Sequence, residues 1–271
     1  MSVYLFLDSN GKEDVMKLCL SSRMFIVPGT SDAFEYDIEA FVRFARSAGY
    51  DGVALRAGQL DENTTPEDVS RIGSILNQFN MVCSFVMGGR VGDEEAYDRF
   101  CKLVDDAVGV GCYHLQPSVA EESEVPWIQK VCDYAQEKGV RLCPQLHDKT
   151  LHNTVTNCSK LFEMVDKENF GLNFEASHLI LQKSELQGGE ALKALGEKVF
   201  TICVQNYRRK DGQSVAVLPG DPGGVDFREV FDAAREIGFD GFVTHMSGRY
   251  PDLDNGSVCN AYVAAIRPLI Q

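Results

Sequence analysis

The chain lacks any apolar run near the roughly 20 residues that cross a bilayer, which argues against a membrane role. It is also short of positive charge. Against 40 Asp and Glu stand only 26 Lys and Arg in 271 residues, a formal net charge of -14. Nucleic-acid binding depends on Lys and Arg displacing condensed counterions, so this balance argues against it. Paired cysteine motifs are missing: the nine cysteines are an odd number with no C-x-x-C spacing. They read as reduced thiols, several of them small core hydrophobes, and suggest a cytoplasmic protein. No glycine-rich dinucleotide fingerprint follows the first apolar run and no Walker loop occurs, which removes the main nucleotide-binding folds. Val3-Tyr4-Leu5-Phe6-Leu7 has neither a basic region before it nor a small-residue cleavage site after it. Residues 1–15 are therefore expected to be an N-terminal extension, and residues 16–271 the domain.

What is present is a strand–helix alternation that runs the length of the chain. Apolar runs predict strands near 18–22, 52–55, 82–86, 112–115, 140–144, 170–174, 200–204 and 241–244. Three- and four-residue spacing predicts helices near 36–47, 66–78, 93–108, 125–137, 154–165, 185–195, 227–237 and 256–266. Joints such as Ala48-Gly49-Tyr50-Asp51-Gly52 and Ile237-Gly238-Phe239-Asp240-Gly241 place glycine where a helix ends in the left-handed conformation. Eight such units favour an α/β fold of the single (β/α)8 TIM barrel type over an open sheet.

In such a barrel, functional residues leave the C-terminal strand ends. Four of the five histidines, His114, His147, His178 and His245, are expected at or just past those ends. Gln145 shares strand parity with His147 and can hold hydroxyls or, weakly, a cation, but it cannot take a proton as a carboxylate can. Glu175 ends the sixth strand with His178 three residues on. A charge leaving an apolar strand needs a cation or hydrogen-bond donors, and an arginine salt bridge is the plainer alternative. Cys203, Gln205 and Asn206 lead into the basic run Tyr207-Arg208-Arg209-Lys210, which either holds an anionic substrate group or is merely solvated. His245 closes the last strand as a metal ligand or acid–base group, beside a packing Met246. Arg56 ends the second strand facing substrate. The expected set is catalytic Glu175 and His245; substrate-contacting Arg56, His114, Gln145, Asn206 and Arg208; and metal-ligating His147, Glu175, His178 and His245.

The Gly49-Tyr50-Asp51-Gly52-Val53 joint, the Gly139-Val140-Arg141-Leu142 strand with its Gln-x-His end, the Glu175-Ala176-Ser177-His178 element and Val225-Asp226-Phe227 ahead of Gly238-Phe239-Asp240-Gly241 follow in a telling order. In that order the chain from Met16 onward resembles the xylose isomerase-like barrel superfamily, the sugar phosphate isomerase/epimerase group that includes inosose dehydratases and endonuclease IV. The resemblance implies one divalent cation held by glutamate, aspartate, histidine and glutamate on strands five to eight, the two glutamates also moving the proton in the epimerases. Here Gln145 matches the first, Glu175 the second, Cys203 most nearly the third, with Asn206 where an aspartate is usual, and Met246 or His245 the last. His147 and His178 persist. Two functions follow. One is an isomerase or epimerase of a small sugar or polyol whose altered, nitrogen-rich site suits Zn, Mn, Fe or Co. The other is a barrel that binds a carbohydrate-like ligand without catalysis, having lost the metal. Abasic-site DNA repair would need a trinuclear metal cluster and a basic face. The expected partner is a small sugar or polyol, with no nucleic acid and no membrane; a homo-oligomer is left open.

Overall fold

Eight runs of alternating lumen-facing and helix-facing residues become the strands of one parallel sheet: β1 (Lys17–Ser21), β2 (Gly52–Leu55), β3 (Val82–Arg90), β4 (His114–Ser118), β5 (Arg141–Leu142), β6 (Leu172–Glu175), β7 (Val199–Val204) and β10 (Phe242–His245). Their order is β5-β4-β3-β2-β1-β10-β7-β6. Parallel bridges Leu142–Phe170 and Gln145–Asn173 join the two end strands and bring the sheet round on itself. This computed structural model describes residues 16–148 and 150–271; the expected extension, residues 1–15, lies outside the described residues. The described chain is the α/β, single (β/α)8 TIM barrel that the alternation predicts.

The helices are α1 (Ile38–Ser47), α2 (Pro66–Gln78), α3 (Glu94–Gly109), α4 (Val125–Glu137), α5 (Val155–Val165), α6 (Ala176–Gln182), α7 (Gly188–Leu195), α8 (Phe227–Glu236) and α9 (Asn255–Ile270). Their starts are written in the sequence. Thr65 and Asp68 form a capping box around Pro66, while Asp37, Asp93, Thr154, Asp226 and Asp254 each accept a first-turn N–H. Helix α1 buries Ile38, Phe41, Val42 and Ala45, one stripe at helical spacing, against the barrel. Burying a side chain the size of Phe41 is worth about 2–3 kcal/mol. None of the helices among the described residues is long and apolar enough to cross a membrane.

Contacts between strands that are not neighbours run through the lumen and fix which side chains point inward. The Ser84 and Thr244 hydroxyls meet at 2.9 Å, and the His114 ring meets the edge or face of Phe242 with centroids 5.6 Å apart. Ala54, Phe85, Cys203 and Met246 form a small apolar layer of their own. The register slips between β2 and β3, so that Cys83 and Val86 pair with Val53 and Leu55. One extra residue on β3 at this bulge explains how consecutive Ser84 and Phe85 both make lumen contacts. Gly52 is required at its place, because a Cβ there would lie 2.5 Å from the Val82 carbonyl oxygen and 2.8 Å from Cys19 Sγ.

Two features differ from the sequence expectation. The basic run at 207–210 is not a loop but strand β8 (Tyr207–Lys210), paired antiparallel with β9 (Gln213–Ala216) as a hairpin over the barrel mouth. Helix α6 begins immediately after Glu175. All nine cysteines are free, and all but Cys101 are buried.

Candidate functional site

Strand β6 delivers Glu175 to the mouth fully buried, and the helix that follows supplies its donors. Oε1 accepts from the Ser177 backbone N–H at 2.9 Å and from the Ser177 hydroxyl at 2.7 Å. Oε2 accepts a hydrogen bond from Gln205 Nε2 and lies 3.4 Å from His178 Nε2. Burial pushes the carboxyl up to about 7 against the pull of these donors and of Arg23. His178 is pushed the other way, down to about 3, chiefly by burial and then by His147. A buried acid that titrates near neutrality beside a neutral imidazole is suited to moving a proton.

Two cavities meet at Asp148, beside His178. One of about 220 Å³ is walled by Arg23, Asp148, His178, Gln205, Tyr207 and Arg209, among others. The second, about 290 Å³, is walled by Met87, Gln116, Gln145, His147, Asp148 and His152, among others. Asp148 belongs to both, and the rings of His147 and His178 lie 4.1 Å apart at the junction. Arg56 stands in a third, of about 380 Å³, which shares Met87 and Gly88 with the second. The three share walls in a row along the mouth and together form its cleft.

The structure brings together Glu175, His178, His147 and Gln145, with Arg56 at the far end of the same cleft. Four expected site residues are placed elsewhere. His114 opens β4 instead of ending it, because the strand runs on through Gln116 to Ser118; its ring lies deep in the lumen against Phe242, and burial lowers it to about 4. His245 alternates with lumen-facing Thr244 and Met246 and so turns outward, where its ring stacks on Tyr262 at 3.7 Å. Both its nitrogens are occupied there, Nδ1 by the Tyr50 hydroxyl at 2.7 Å and Nε2 by the Ser247 hydroxyl at 2.6 Å. Asn206 spends its amide on the loop, donating to Leu218 O at 2.9 Å and accepting from Val225 N–H at 2.8 Å. Arg208 donates to Pro222 O, and it is Arg209 that lines the cleft. Cys203, expected to match the strand-seven ligand, sits a layer deeper; the side chain that reaches Glu175 is Gln205. Four cleft residues lie outside the expected set: Gln205, Gln116, Arg23 and Asp148. Strand parity from Cys203 and from His114 was the signal available for the first two, and Arg23 follows β1 as Arg56 follows β2.

The strand-end set fits a divalent cation poorly. Gln145, Glu175, Gln205 and Met246 offer one carboxylate, two amides and a thioether, and the Gln205 amide nitrogen is turned toward Glu175, where a cation would need an acceptor. The rim fits better. His147, Asp148 and His178 each offer one ligand atom, all within 4.8 Å of one another, and His178 Nδ1 has no protein partner. Two imidazoles and a carboxylate suit Zn, Mn, Fe or Co.

Known proteins resemble this chain along most of its length. The structure of D-allulose 3-epimerase from Methylomonas sp. superposes with a TM-score of 0.72 at 16% identity, over 94% of this chain and 98% of that one. An L-ribulose 3-epimerase superposes at 0.74 with 15% identity, over 94% of each chain. The probable 3-DHS dehydratase from Bacillus anthracis superposes at 0.72 with 14% identity, over 93% and 99%. In sequence, inosose dehydratase from Clostridium perfringens (strain 13 / Type A) is 23% identical over 143 residues. That stretch is 47% of each protein, so this chain spans about half the length of the curated relative. The xylose isomerase-like TIM barrel family model matches residues 42–254. From within α1 to the cap of α9, then, the chain belongs to the xylose isomerase-like TIM barrel family.

Proposed function

We propose that the protein is a sugar or polyol isomerase or epimerase with an altered site at the C-terminal face of the barrel. The observation that carries this reading is the Glu175–His178 pair, a buried carboxyl raised to about 7 against an imidazole that lines the cleft. The ionised pair would take the proton next to a substrate carbonyl and return it to the neighbouring carbon, while the hydroxyl proton of the enediol moves to the former carbonyl oxygen; epimerisation would need the proton delivered from the opposite face by a second donor. Ser177 fixes Oε1, and Oε2, which accepts from Gln205 and faces His178, would be the oxygen that exchanges the proton. With the carboxyl near 7, protonated and ionised forms coexist at neutral pH and the ionised one is the base; the apparent value belongs to the pair and not to either residue. Gln145 and Gln116 stand where amides orient hydroxyl groups. A cation on His147, Asp148 and His178 would supply Lewis-acid polarisation of the carbonyl when bound. The epimerase and dehydratase relatives are consistent with this class of substrate.

A second reading is favoured by one observation, the Gln205 amide bonded to Glu175 among strand-end residues poor in metal ligands. It is a sugar-binding barrel without catalysis. Metal analysis of protein purified without chelator, paired with a turnover assay on a panel of ketoses, separates the two. The enzyme reading expects turnover that Glu175→Gln abolishes; sugar binding with no turnover by the metal-supplemented protein would leave the binder.

A further inference from the structure

We propose that Arg23 is a positioning residue, holding Gln205 so that its amide nitrogen takes the place between Glu175 and His178 where a strand-end cation would sit. This rests on the reading of that pair as the proton-moving group of the site.

Four neighbouring strands build the arrangement. Strand β1 pairs with β10, β10 with β7 and β7 with β6, so the residues that leave their ends stand in a row along the mouth. Past β1, the Ser21 hydroxyl accepts from the Arg23 backbone N–H at 3.3 Å and caps a single 3₁₀ turn, Ser22–Phe25. From that turn Arg23 reaches over two strand ends. Its Nη1 donates to Met246 O, past β10, at 3.4 Å and to Gln205 Oε1, past β7, at 3.1 Å. Gln205 Nε2 in turn donates to Glu175 Oε2, at the end of β6, and lies 3.2 Å from His178 Nε2.

Chemistry fixes which way the amide faces. A guanidinium only donates and a carboxylate only accepts, so Arg23 claims the oxygen end of Gln205 and ionised Glu175 the nitrogen end. Gln205 is fully buried, and there an amide turned end for end would set oxygen against carboxylate and nitrogen against guanidinium. Glu175 Oε2 and His178 Nε2 are 3.4 Å apart, a gap that a cation would bridge. The Gln205 nitrogen lies against both atoms instead. The positive charge stands one residue back, on Arg23, whose side-chain hydrogen bonds among the described residues go to neutral oxygens. Arg23, Gln205 and Glu175 thus form one chain of donors and acceptors, in which the arginine reaches the carboxylate only through the amide.

A double-mutant cycle on the full chain tests this dependence. Deuterium incorporation into ketoses should fall about 10- to 100-fold in kcat in Arg23→Gln and in Gln205→Leu, with KM little changed. The two changes together should cost no more than the worse one alone, and Arg23→Lys should keep part of the rate. Losses that multiply in the double variant, or an Arg23→Gln protein as fast as the wild type, overturn the proposal. The Gln205 side-chain amide, followed by NMR and assigned by its loss in Gln205→Leu, gives a readout that needs no turnover. Its hydrogens should exchange with solvent about tenfold or more faster in Arg23→Gln, with part of the protection kept in Arg23→Lys; unchanged exchange is the contrary result. With the rim disabled by His147→Ala, titration with zinc should show no binding. Zinc that binds this variant and is lost on adding Glu175→Gln would mean that the strand ends do hold a cation. Faster amide exchange in Arg23→Gln with no label in any ketose would sink the enzyme reading alone; label with independent losses would sink this one alone.

Discussion

At Glu175 two opposing effects set the chemistry. Burial disfavours the carboxylate, while Ser177 and Gln205 favour it, and the balance lands near neutrality. Glu175→Gln keeps an oxygen for the Ser177 donors but removes the titrating group. Turnover should fall by roughly 10²- to 10⁴-fold, the span usual for a lost general base, with little change in the urea unfolding midpoint. His245 makes the contrasting case, since its two hydrogen bonds and its stacking on Tyr262 lie behind the strand. His245→Gln should destabilise the fold by about 1–3 kcal/mol, by stranding Tyr50 and Ser247, while leaving sugar affinity unchanged. Urea denaturation and calorimetric titration of the same variant check both halves.

The elements that place these residues differ in how far they could be read in advance. Gly52 shows how tightly they are packed: Gly52→Ala would drive a Cβ into the Val82 carbonyl and Cys19, and should cost about 1–3 kcal/mol in a thermal or urea melt. All eight barrel strands and eight of the helices were legible, because apolar periodicity and caps such as Thr65-Pro66 mark them without tertiary information. Strand β4 was misjudged for a physical reason. Its apolar run breaks at Gln116 and Pro117, yet the chain stays extended to Ser118 because a barrel lumen accepts polar side chains. Ending the strand too early put His114 at the mouth and hid Gln116. Helix α6 and the β8–β9 hairpin were illegible because both are set by what they cover. Arg209, for example, is fixed by two bonds to Leu181 O of α6. At the eighth strand a one-residue change of parity decided between His245 and Met246, and only closure of the sheet settles which side faces in.

Four of the histidines, His114, His152, His178 and His245, are held neutral chiefly by burial, and that has a pH signature. His114 is lowered from 6.5 to about 4 and His245 to about 3, each by burial. As pH falls below 6.5 the unfolded chain takes up protons that these folded rings refuse, so stability falls with pH until the folded values are reached. Glu175, raised from 4.5 to about 7, acts in the opposite sense, gaining stability as pH falls from 7 to 4.5. His152, lowered to about 4, and His178, lowered to about 3, act in the same sense as these two, so four rings outweigh one carboxyl, and with chelator present the protein should lose on the order of 1–4 kcal/mol per pH unit between pH 6.5 and 4.5. Urea melts at pH 7, 6 and 5 would register this as a steadily falling midpoint; a flat or rising midpoint would mean that the rings accept protons in place.

The account turns on a proton leaving a sugar carbon for the Glu175–His178 pair at the barrel mouth. Deuterium incorporation in D2O next to the carbonyl of ketoses, followed by NMR with the wild-type protein and Glu175→Gln, measures that step directly. The account predicts label in at least one substrate with the wild type, slowed about 10²-fold or more in the variant. Label appearing equally fast with Glu175→Gln, or in no substrate with the wild type, would contradict it.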